Sequence, residues 1–189
     1  MIRQIWKSGF LILLVSWPLS SVTSGVQGAT YPSREEVLQE VYGSAVIAAE
    51  RVFLTSAEQS TAAEKAGVDI PSPLIARYVL KKDQAVVGRA YVDTHIVRTK
   101  KQSVLICLAA DGAIKRIEVT AFLEPPEYLV PDVWYQQYEG RMLSEDLRLQ
   151  RDIRSVAGAT LTSMTTAAAV RRVLAIDEVL EKKSTGGSR

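Results

Sequence analysis

The chain has 189 residues, with 23 Lys and Arg against 21 Asp and Glu, one Cys and one His. A single Cys and a single His exclude an intramolecular disulfide, a Cys-x-x-Cys-His haem attachment, an iron–sulfur cluster and a His/Cys zinc site. No metal is expected, and any redox chemistry would come from a bound organic cofactor. The near-even charge balance gives no reason to expect a nucleic-acid partner.

At the N-terminus, Arg3 and Lys7 precede an apolar run from Phe10 to Trp17, a break at Pro18 and small polar residues to Ala29. That is the layout of a secretory signal peptide, read here as residues 1–28. The run is shorter than the ~20 apolar residues of a membrane-spanning helix, although Ile5 to Leu19 could serve as an uncleaved anchor. No Cys follows the run, so a lipoprotein anchor is not expected. Cleavage after Gly28 would remove Arg3 and Lys7 and no acid, leaving 21 basic and 21 acidic residues. The expected location is the periplasm or the extracytoplasmic face of a membrane. The remaining ~160 residues suffice for one domain that buries ~70% of its unfolded surface.

Ser33-Arg34-Glu35-Glu36 reads as a capping box opening a helix whose face would be Val37, Val41, Ala45, Ala48 and Val52. Gly43 should weaken it by about 1 kcal/mol relative to Ala. Thr55-Ser56-Ala57-Glu58 repeats the signature and starts a second, more polar helix that Gly67 should end. Pro71 and Pro73 mark the entry to a sheet. Residues 31–72 therefore read as a helical lead-in packed on the domain, because two short helices bury too little alone.

Strand structure begins over Arg77 to Leu80. From Val86 to Val97 the even positions Val86, Ala90, Val92 and Ile96 are apolar, while Arg89, Tyr91, Asp93 and His95 occupy odd ones. This period of two predicts one buried and one polar face. His95 has no second His, Cys or acid spaced for a metal site or a nucleophilic triad, and reads as an exposed or hydrogen-bonded side chain. Val104 to Leu108 is apolar throughout, as in a central strand covered on both faces, with Cys107 as a core residue. Asp111-Gly112 supplies the positive φ angles of a tight hairpin, and Ile117, Val119 and Ala121 alternate with polar residues on the return strand. An antiparallel sheet follows.

Glu124-Pro125-Pro126 ends that strand in a loop. Val133, Trp134, Gln137 and Tyr138 fit a short helix stopped by Gly140, with Trp134 as a core anchor. Residues 141–153 are charged and linker-like. From Met164 to Lys183 there is neither Gly nor Pro, and Ala169, Val173, Ile176 and Leu180 form one stripe of an amphipathic helix, with Lys182 and Lys183 complementing its C-terminal dipole. Residues 184–189 read as a flexible tail.

Before this helix lies Gly158-Ala159-Thr160-Leu161-Thr162-Ser163. Small residues at a helix N-terminus let an anion approach the unpartnered backbone N–H groups. The plainer reading is an ordinary helix start with Thr162 or Ser163 as N-cap. A secreted hydrolase is disfavoured, because no Gly-x-Ser-x-Gly elbow is present and His95 is the only histidine base.

The segment Ala157 to Ser163 resembles the attachment motif of the FMN-binding domain family. Such domains occur in the C subunit of sodium-pumping quinone reductase, the G subunit of the Rnf complex and nitrous-oxide-reductase regulators. The likeness spans roughly Arg77 to Leu174, through Gly88-Arg89-Ala90-Tyr91, the Asp111-Gly112 hairpin, Glu124-Pro125 and the aromatic segment ending in Gly140. It implies an α+β fold, an antiparallel sheet packed with helices behind the N-terminal helical lead-in, with the FMN-binding domain over residues 77–183. It also implies that Thr160 is joined through its hydroxyl to the FMN phosphate by a flavin transferase. Gly158, Ala159, Leu161, Thr162 and Ser163 would surround that phosphate, and Glu124 would lie near the flavin. The function implied is an exported electron-transfer module whose partners are redox proteins, membrane-bound ones among them. Arg154 and Ala157 stand where the family usually carries Asp and Ser or Thr. They leave open a binding or sensory module with reversible or no flavin.

Overall fold

The computed structural model describes residues 30–186, so the signal-peptide reading of residues 1–28 lies outside it. Five strands form one antiparallel sheet in the order β1-β2-β3-β4-β5: β1 Val46–Phe53, β2 Leu74–Lys82, β3 Ala85–Ile96, β4 Lys101–Ala109 and β5 Ile114–Phe122. Helix α1 Arg34–Tyr42 packs on one face, while α2 Ser56–Ala66 and the long α4 Thr160–Gly186 cover the other; α3 Asp132–Tyr135 sits in the β5–α4 connection. The fold is α+β, as the sequence predicts.

Both capping boxes form. The Ser33 hydroxyl accepts the Glu36 N–H at 3.2 Å and the Glu36 carboxylate accepts the Ser33 N–H at 2.8 Å; Thr55 and Glu58 repeat both contacts at the same distances. Gly67 ends α2 in the left-handed conformation at φ 63°, ψ 26°.

The lead-in is not wholly helical. Gly43, at φ 61°, stops α1, and Val46 to Phe53 form an edge strand paired with β2 from Val46↔Lys81 to Phe53↔Leu74. In the strand these residues no longer share one face: Ile47, like Ala45 just before the strand, packs on the α1 side of the sheet and Val52 on the α2/α4 side. The β-branched Val46 and Ile47 beyond a positive-φ glycine decide for the strand. Residues 31–72 thus contribute a strand to the sheet itself. Near the other terminus α4 continues to Gly186, into the segment read as a tail, and 187–189 lie outside the described residues.

Val104, Leu105, Ile106, Cys107 and Leu108 are each 0% exposed. Leu105 and Cys107 meet Val37 and Leu38 of α1, and Val104, Ile106 and Leu108 meet the α4 side. Burial pushes the Cys107 thiol up to about 12, so it stays protonated and inert. At the β4–β5 turn only Gly112 takes a positive φ, 91°; Asp111 instead accepts the Ala113 N–H through its side chain at 3.0 Å.

The face of β3 expected to be polar and exposed is covered. Arg89 is 4% and Tyr91 1% exposed, because Asp177 of α4 accepts from Arg89 Nε (2.5 Å) and Nη2 (2.9 Å) and from the Tyr91 hydroxyl (2.7 Å). The even face is buried at its centre, as expected, with Ala90 0% exposed against the α1 side, and opens only towards the strand ends, where Val86 and Ile96 are exposed. Correspondingly, α4 is no single stripe: Val170, Leu174 and Ala175 are buried with Ala169, Val173, Ile176 and Leu180. Arg171, 4% exposed, donates to the carbonyls of Ala66 and Ser144 and so ties α4 to the end of α2 and to the 141–153 connection.

Candidate functional site

Helix α4 begins at Thr160, nine residues before the apolar stripe that opens at Ala169, so Thr160 to Ser163 form its first turn. The Ala159 carbonyl accepts the Ser163 N–H at 2.9 Å. Thr160, Leu161 and Thr162 are therefore the positions whose N–H groups have no acceptor one turn back. The partial positive charge of the helix end is added to theirs.

Gly158, Ala159, Thr160, Leu161 and Thr162 line a cavity of about 170 Å³ whose other walls are Arg98 and Tyr128. The Arg98 guanidinium lies 4.4 Å from the centre of the Tyr128 ring, a cation–π contact. It makes no ion pair among the described residues. One fixed cation, three helix N–H groups and an exposed threonine hydroxyl thus open on the same small space. That donor set suits a phosphate.

Glu124 organises one wall of this cavity. It is 7% exposed, and its Oε1 accepts backbone N–H groups of Thr99 (2.6 Å), Lys100 (2.7 Å) and Arg98 (3.1 Å). The N–H groups of Thr99 and Lys100, then that of Arg98, hold its carboxyl below the usual carboxylate range. The carboxylate pins the β3–β4 turn from which Arg98 reaches Tyr128. Glu124 itself is not part of the cavity lining.

The three hydroxyls of the motif divide. Thr160 is exposed. Thr162, 1% exposed, donates to the Tyr128 carbonyl at 2.5 Å and tethers the Pro126–Tyr128 turn to α4. Ser163 is fully buried; its hydroxyl donates to the Ala159 carbonyl at 3.0 Å and accepts the Val156 N–H at 3.4 Å. Neither Thr162 nor Ser163 is an N-cap. Of the three, Thr160 is the exposed residue that lines the cavity. Gly158 has φ 84°, and nothing lies within 4 Å of where a Cβ would be. The backbone turn into the helix, and not crowding, is what requires glycine here.

Other residues singled out in the sequence lie apart from this cavity. His95 donates its Nδ1–H to the Asp93 carboxylate at 2.8 Å, and its buried Nε2 has no partner among the described residues. Trp134 is 5% exposed, packs edge-on against Tyr135 and Tyr138, and donates to the Arg154 carbonyl. The Arg154 side chain lines a separate depression with Trp134, Gln137 and Asp152.

Sequence reasoning missed Arg98 and Tyr128. Each lies in a turn thirty or more residues before Gly158, and the only signal was the basic cluster Arg98, Lys100 and Lys101 at the hairpin.

What fold and site define is an α+β domain with an anion-suited cavity at the start of its longest helix. No protein-family model matches the chain, nor does any curated protein or solved structure. Among the described residues no helix is long and apolar enough to cross a membrane.

Proposed function

We propose that this protein is a flavin-carrying electron-transfer module, with FMN joined through its phosphate to Thr160. The observation that carries the reading is the convergence of the Thr160 hydroxyl, the first N–H groups of α4 and Arg98 on one cavity. The resemblance of Gly158 to Ser163 to the FMN attachment motif points to the same place. When bound, the flavin supplies the electron chemistry. The protein's part is to neutralise the phosphate with Arg98 and the helix end, to hold the Arg98 turn through Glu124, and to offer Tyr128 and the 45%-exposed Leu161 as apolar neighbours for the ring. A covalent link removes loss of the cofactor by dissociation, which matters for a protein exported away from the flavin pool. A flavin transferase makes the link, and redox proteins, membrane-bound ones included, exchange electrons with the ring. Arg154 and Ala157 lie outside the cavity lining, so their departure from the family pattern bears on recognition by the transferase and leaves the phosphate contacts intact.

Fluorescence titration of the unflavinylated protein with FMN and with riboflavin tests the cavity. FMN should bind at least about tenfold more tightly, a difference of ~1.4 kcal/mol for the phosphate contacts, and Arg98→Ala should shrink that preference. Equal affinity for the two flavins would contradict the reading, and reversible FMN binding that no transferase converts to a covalent bond would favour the sensory alternative.

A further inference from the structure

A second opening lies within the sheet. β1 and β2 stay paired to Phe53↔Leu74, and β3 and β4 to Ile96↔Lys101, but β2 and β3 pair only as far as Arg77↔Tyr91. Beyond that point Leu74 to Ala76 and Val92 to Ile96 diverge. The split leads into a cavity of about 320 Å³, within the range of small-ligand sites.

Its inner wall is apolar: Ile75 and Leu74 from β2, Val92 from β3, and Val173 and Ile176 from α4. Its polar groups are of two kinds. Asp93 and Arg172 neutralise each other at 2.7 Å, and Arg172 also donates to the Asp69 carbonyl at 2.9 Å. Arg34 and Arg51 also line the opening, are exposed, and have no acidic partner among the described residues. Two like charges beside an apolar slot are complementary to one anionic head on an apolar body.

We propose that this split binds a small amphipathic carboxylate, its acid group on Arg34 and Arg51 and its apolar part against Ile75, Val173 and Ile176. The site is independent of the flavin reading, since Arg172 lies twelve residues along α4 from Thr160, ~18 Å at 1.5 Å per residue.

Calorimetric titration of the full chain with octanoate, and with uncharged octanol, tests this. Octanoate should bind saturably and more tightly than octanol. The double variant Arg34→Ala/Arg51→Ala should lose about tenfold in octanoate affinity while binding octanol as before. Ala76→Phe, which narrows the slot beside its cross-strand partner Arg51, should abolish both, the loss of octanol reporting the slot itself, with circular dichroism confirming that each variant is folded. Absence of saturable binding, equal affinity for the two probes, or an unchanged double variant would overturn the proposal. So would binding of an extended acidic peptide in place of octanoate, which would make the split a strand-insertion site.

Discussion

Two polar regions along helix α4, one around Asp177 and one at its first turn, are treated in opposite ways by the rest of the chain. Around Asp177 every buried polar group is matched: both carboxylate oxygens receive Arg89, the Tyr91 hydroxyl donates to one of them, and Arg89 also donates to the Ala110 carbonyl at 3.3 Å. At the first turn of the same helix Thr160 is exposed, the leading N–H groups face a cavity, and Arg98 rests on a ring instead of a carboxylate. A closed network of that kind fixes the helix on the sheet. An open set of donors around a cavity leaves charge unmet and is where a ligand belongs.

Mutations should separate the two regions. Asp177→Ala, which strands the buried Arg89 guanidinium, should cost about 3–5 kcal/mol in urea unfolding without selective loss of flavin affinity in the folded fraction. A cost under ~1 kcal/mol would break the contrast from the closed side. Gly88→Ala tests the packing on the opposite face of the sheet. Its Cβ would lie 2.2 Å from a Tyr42 ring carbon and 2.5 Å from the Leu108 carbonyl oxygen, which already accepts from the Tyr42 hydroxyl at 2.8 Å. About 1–3 kcal/mol should be lost.

Smaller effects are expected at the open end. Thr162→Ala removes the hydrogen bond to Tyr128 and should cost about 0.5–1.5 kcal/mol, with weaker FMN binding as the Tyr128 wall loosens. Glu124→Gln should show itself in acid. Because the folded carboxyl sits below its ordinary value, its stabilisation is complete above the unfolded pKa of ~4.3 and is lost as pH falls through the folded value. The stability gap between wild type and Glu124→Gln should therefore narrow below pH ~4; a gap that widens there would contradict the assigned contacts. Thr160→Ala, at an exposed position, should change stability by no more than about 0.5 kcal/mol.

The division between legible and hidden follows the range of the interactions. Both capping boxes, Gly67, the β4 core and the antiparallel order rest on neighbours a few residues apart, and the sequence carried them. Val46 to Phe53 was misread because Val37, Val41, Ala45, Ala48 and Val52 fit a helical stripe, which the positive φ at Gly43 and the β-branched Val46 and Ile47 beyond it break. The covered face of β3 was hidden because Arg89 meets its carboxylate 88 residues away at Asp177. At the site, Thr160 and its neighbours were readable from the motif. Arg98 and Tyr128 were not, since the Glu124 contacts that place Arg98 and the Thr162 bond that holds Tyr128 span 26 and 34 residues.

Intact mass of the protein co-expressed with a flavin transferase, beside its Thr160→Ala and Thr162→Ala variants, tests the central claim most directly. The account predicts that wild type and Thr162→Ala gain one FMN less water and fluoresce, while Thr160→Ala stays folded, unmodified and colourless. A flavin retained on Thr160→Ala, or a wild type that stays unmodified, would contradict Thr160 as the point of attachment.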